Sequence, residues 1–118
     1  MTEYVVIVVY VPVEDTEAVR RAMCDAGAGS VDDGRYDRVT YVSQAVCQYR
    51  ALDAADSKRE TAGDEFRSEE NRIEAICRRD LAEAVVKAIC SAHPYETPAI
   101  SIYPTLSDKY KYWTEAPQ

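Results

Sequence analysis

The spacing of apolar positions changes repeatedly along this chain, and each change marks an element. Residues 4–11 are apolar without a break and consist of valine, isoleucine and tyrosine. Such a run predicts a central strand covered on both faces. Pro12 closes it, because proline has no N–H for the next rung of a ladder. From Val13 the spacing becomes helical, with Ala18, Val19, Ala22, Met23 and Ala26 on one stripe. Glu14, Asp15 and Glu17 fall in its first turn, where carboxylates meet the positive end of the helix dipole. Gly27 and Gly29 follow and suit the left-handed residues that end a helix. A phosphate-binding GxGxxG would stand between strand and helix, whereas these glycines come after the helix.

Beyond a polar turn through Asp32, Asp33 and Gly34, residues 39–49 alternate partly between polar and apolar and predict a second strand. Residues 50–67 mix charges of both signs with small residues and read as a long exposed connection, a natural place for ligand or partner contact. Residues 72–77 alternate again, as a half-buried third strand. A second helix is expected over 80–92, with Leu81, Val85, Ala88, Ile89 and Ala92 at helical spacing and Asp80 as its N-cap. Ile100 and Ile102 predict a short fourth strand before Pro104.

The two helices repeat. At an offset of 66 residues Glu17, Ala18, Val19, Ala22, Cys24 and Ala26 match Glu83, Ala84, Val85, Ala88, Cys90 and Ala92 in type. Two βα units and two further strands give βαββαβ, an α+β ferredoxin-like plait with both helices on one face of a four-stranded antiparallel sheet. Its domain spans residues 3–104. A tail over 105–118 follows, in which residues 109–113 alternate like an extra edge strand.

A sheet with helices on one face only must cover its other face or make it polar. The tyrosines and the two-sided first strand predict a cover, and another copy of the chain is the simplest one, in a closed homo-oligomer. A net charge of -7 repels phosphate backbones, so no nucleic-acid partner is expected. The opening apolar run is far shorter than the ~20 residues of a membrane helix. It has neither a basic leader nor a small-residue cleavage site, so neither a membrane span nor a signal peptide is expected. The four cysteines form no CxxC pair, which fits reduced thiols in a cytoplasmic protein.

Candidate chemistry gathers at His93-Pro94-Tyr95-Glu96-Thr97-Pro98, which holds the chain's one histidine. His93 and Glu96, three apart across a proline, are a candidate pair for a divalent metal such as zinc or copper, or for proton exchange. The competing reading is a structural joint at a helix end. Tyr95 and Tyr103 are candidate ligand-lining residues at a subunit boundary, set against ordinary packing roles. Cys24 and Cys90 occupy equivalent positions and read as small buried hydrophobes. Ser91 has no third partner for nucleophilic chemistry, and no catalytic residue is assigned.

These residues resemble a known family. The stretch 9–12 before an acidic helix start, 26–29 after it, Tyr36, Arg72-Ile73-Glu74, and 93–99 leading to Ile102-Tyr103-Pro104 are similar to the YqfO-like domain. That domain occurs as an insert in Nif-type proteins, the dinuclear-metal family once labelled GTP cyclohydrolase type 2 homologues, and by itself. The resemblance implies a fold like those of the CutA and PII proteins and assembly as a homotrimer, with a dimer as the other closed form. It does not imply the dinuclear-metal site, whose histidine-rich ligands belong to a flanking domain. The preferred functional reading is a non-enzymatic oligomeric module that binds a small ligand or protein in inter-subunit clefts near His93, Tyr95 and Glu96. The alternative is a metal-dependent hydrolase or divalent-metal tolerance protein using His93 and Glu96.

Overall fold

The first strand, β1 (Tyr4–Pro12), lies in the interior of a four-stranded antiparallel sheet and is paired on both sides. The structure, a computed structural model, describes residues 3–31, 34–52 and 63–106. A single 3-10 turn (Val13–Asp15) leads from β1 into α1 (Thr16–Asp25). Strands β2 (Tyr41–Arg50) and β3 (Glu65–Arg78) form a long ribbon. A second 3-10 turn (Arg79–Leu81) leads into α2 (Ala82–Ala92), and β4 (Ala99–Pro104) closes the sheet in the order β2-β3-β1-β4. This is the expected βαββαβ plait.

Register explains why β1 tolerates no polar residue. Val5, Ile7, Val9 and Val11 stand beside Cys77, Ala75, Ile73 and Asn71 of β3 on the face that carries the helices. With Val19 and Met23 of α1 and Val85 and Ile89 of α2, the apolar members of that set make one buried cluster. The 66-residue offset survives in three dimensions: Val19 and Val85 are both fully enclosed, as are Met23 and Ile89, and the two 3-10 turns are separated by the same offset. The opposite, open face carries Val6, Val8 and Tyr10 of β1, and Val8 is buried there too.

Several boundaries differ from the expectation for physical reasons. β3 begins at Glu65 rather than at residue 72. Its first residues pair only with β2 in an arm that extends past the end of β1, so polar side chains occupy both faces while backbone pairing holds the strand. The expected 50–67 connection therefore shrinks, and residues 53–62 of it lie outside the described residues. So do residues 107–118, on which the extra-strand expectation falls. Asp80 is not an N-cap: its carboxylate pairs with Arg78 at 3.0 and 3.1 Å, and Leu81 stands at the cap position of α2. Cys90 is exposed, unlike Cys24. The connection after α1 passes the Cys24 side, where Arg38 binds Asp25 at 2.6 Å, while α2 runs directly into the joint before β4.

The acidic first turn of α1 does more than face the dipole. Glu17 accepts a forked pair of hydrogen bonds from Arg20 at 2.6 and 2.9 Å. Arg20 thereby holds the Glu17 carboxyl at about 2, against an ordinary 4.5. A depressed carboxyl contributes stability above its unfolded value and loses it as pH falls through the folded one. The Glu17 contribution is therefore full above the ordinary value and fades as pH drops toward about 2. Following the Glu17 carboxyl carbon by NMR should show that low midpoint, and Arg20→Gln should return it toward 4.5.

Candidate functional site

α2 ends where β4 has not yet begun, and His93 occupies the gap. Its backbone N–H donates to the Ile89 carbonyl at 2.8 Å and closes the helix. The Tyr95 backbone N–H donates to Nδ1 at 3.1 Å, so Nε2 carries the ring hydrogen. Nε2 lies 2.7 Å from the Tyr10 carbonyl and donates to it. Tyr10 pairs with Ala99, the first residue of β4. The ring thus serves a β1 carbonyl where the fourth strand starts, rather than the last carbonyls of its own helix. Only 6% of His93 is exposed, and both ring nitrogens are engaged.

Tyr95 packs on the His93 ring, with centroids 4.9 Å apart, and extends its hydroxyl over the end of β1 to Glu70. The O–H donates to Glu70 Oε2 at 2.9 Å, and the Ser68 hydroxyl approaches the same oxygen at 3.5 Å. Glu70 stands opposite Pro12 of β1 and Ala45 of β2, and Ser68 stands opposite Cys47. These residues share the open face, because Asn71, next to Glu70, points the other way and donates to Thr16 Oγ1 of α1 at 3.0 Å. Burial, then the bond to Glu70, pushes the Tyr95 hydroxyl above its ordinary value. Burial, then the Glu70 charge, does the same to the Cys47 thiol, which is therefore neutral at pH 7.

The structure brings His93 and Tyr95 together and leaves the other two candidates apart from them. Glu96 is exposed, and Tyr103 lies across from Val6 on the open face, also exposed. Among the described residues no three of His, Cys, Asp and Glu gather as a metal-holding group. Ser91 back-bonds to the Lys87 carbonyl at 3.1 Å. Sequence reasoning missed Glu70. It lies beside Glu69 in a charged run that looks solvated, yet only 5% of it is exposed. The available signal was the period of β3, which sets residue 70 on one face with Arg72 and Glu74.

No family model matches the chain. Among curated proteins, the GTP cyclohydrolase 1 type 2 homolog of Bacillus subtilis is 35% identical over 96 residues, which are 81% of this chain and 25% of that protein. A solved Bacillus cereus protein related to NIF3 superposes with a TM-score of 0.75 at 37% identity, covering 89% of this chain and 26% of its own. The chain is a homologue of NIF3-related proteins. The NIF3-related relatives are much longer, and this sequence spans about a quarter of their length. The divalent ion tolerance protein CutA1 of Ehrlichia chaffeensis shares the fold with this NIF3-related chain over 98% of this chain and 94% of its own, at TM-score 0.65 and 17% identity.

Proposed function

We propose that this chain is a non-enzymatic, self-assembling binding or regulatory module whose ligand enters beside the joint at residues 93–98. One observation carries the assembly. β2 is an edge strand, and residues 41–49 of it contain no charge in a chain whose net charge is -7. Tyr41, Val42 and Val46 are each about half exposed or more. Edge strands that stay single are protected by charges or proline, and this one is not. Like-charged copies meet with least repulsion along such a neutral strip, and a closed ring of three would use both edges of every sheet.

A structural joint accounts for His93 better than a ligand role, since a metal would have to displace a bond at one of its ring nitrogens. The ion-tolerance name of the CutA1 neighbour makes metal content worth measuring in the same preparation. Light scattering on the full chain should give three times 13.3 kDa, with twice that mass also compatible with closed assembly. A single-chain mass overturns the reading. His93→Ala should leave metal content unchanged and weaken the fold by about 1–3 kcal/mol through the orphaned Tyr10 carbonyl and Tyr95 N–H. Stoichiometric metal that disappears in this variant would instead support a metal-dependent hydrolase or tolerance protein built on His93 and Glu96.

A further inference from the structure

Glu70 is a buried acid without a counter-ion among the described residues. Both of its bonds come from neutral hydroxyls and end on Oε2, while Oε1 receives no donor among the described residues. Nor does any ion pair form with Glu70 among the described residues. Arg72, the cation two residues along the same face, is held by Glu74 at 2.8 Å. A buried carboxylate carries a desolvation cost of several kcal/mol that a cation would offset, and the two hydroxyls supply neutral donors alone. Its cross-strand neighbours on that face, Pro12 and Ala45, are both short. Tyr95, bonded to the acid, is 42% exposed, and Tyr49 is 39% exposed farther along the same face. Tyrosine rings favour a cation over an anion at such a site.

We propose that Glu70 and Tyr95 form the floor of a binding site for a small organic cation, whose primary ammonium or guanidinium group donates to Glu70 Oε1. The site rests on the reading of the chain as a binding module and gives that module a ligand class. Tyr95 keeps Oε2 occupied and orients the carboxylate, so the incoming group meets one free oxygen in fixed position. The neutral Cys47 thiol, opposite Ser68 on the same face, does not compete for the cation as a charge. Because Tyr95 also packs on His93, occupancy at Glu70 bears directly on the joint before β4.

The test is calorimetric titration of the full chain with agmatine and with n-butylamine, alongside Glu70→Gln and Ala45→Leu. Wild type should bind one amine per chain. Glu70→Gln, which keeps the shape and removes the charge, should weaken binding at least tenfold. Ala45→Leu should do the same by setting a bulky side chain directly opposite Glu70 while the carboxylate stays charged, so the result does not depend on one variant folding. Absence of binding to wild type, or equal binding to either variant, overturns the proposal. Light scattering on the same samples separates it from the assembly reading. Amine binding lost in Glu70→Gln by a single-chain protein upholds the site and removes the assembly. A mass that changes in Glu70→Gln, with no amine bound by wild type, means that a second copy supplies the cation and overturns the small-ligand proposal.

Discussion

Ile7→Asp should abolish folding. Ile7 is fully enclosed at the centre of β1, between Ala75 of β3 and Ile102 of β4, and faces the helices. An aspartate there places a carboxylate among aliphatic side chains with no donor to meet it. The cost of several kcal/mol rivals the whole stability of a domain this size, about 5–15 kcal/mol. Circular dichroism should show no cooperative urea transition for this variant. Ile7→Val should stay folded and lose about 1 kcal/mol. A soluble Asp variant with a native transition would mean that the odd positions of β1 are not enclosed.

Gly29→Ala should also be strongly damaging. Gly29 has φ +87°, and a Cβ there would lie 2.7 Å from both the backbone N and O of Val39. The approach is close because Gly29 is stitched on two sides: its N–H donates to the Ile76 carbonyl at 2.8 Å, and its own carbonyl accepts from the Val39 N–H at 3.0 Å. Backbone cannot move aside as a flexible side chain can, so strain and clash add to a loss of about 2–4 kcal/mol. Gly34 gives the comparison, since it too has a positive φ, +83°, but a Cβ there would meet nothing within 4 Å. Gly34→Ala should cost about 1 kcal/mol. Equal urea midpoints for the two variants would show that the Val39 approach is not tight.

The plait was legible because its core is local in pattern. β1 is continuously apolar, both helices carry one stripe, and the duplicate offset ties Val19 to Val85 and Met23 to Ile89. The start of β3 was not legible. Residues 65–71 are almost all polar, and what makes them a strand is a partner whose backbone lies opposite, which no side-chain period records. The sequence places His93, Tyr95, Glu96 and Tyr103 in one neighbourhood. The structure joins the first two, through a tilted ring contact and an N–H bond, and the further link from Tyr95 to Glu70 depends on tertiary contact across 25 residues. Cys90 shows the limit of reading by repeat: equal positions on equal helices are buried differently because different connections pass beside them.

The order in which β1 finds its partners bears on how the chain is made. Its most water-averse stretch is made before either of its partners, since every rung of its ladder belongs to residues near 70–78 or 99–104. During synthesis the nascent chain therefore carries an unpaired, sticky segment until β3 has been made. Late and slow sheet closure is the expected consequence of such distant pairing.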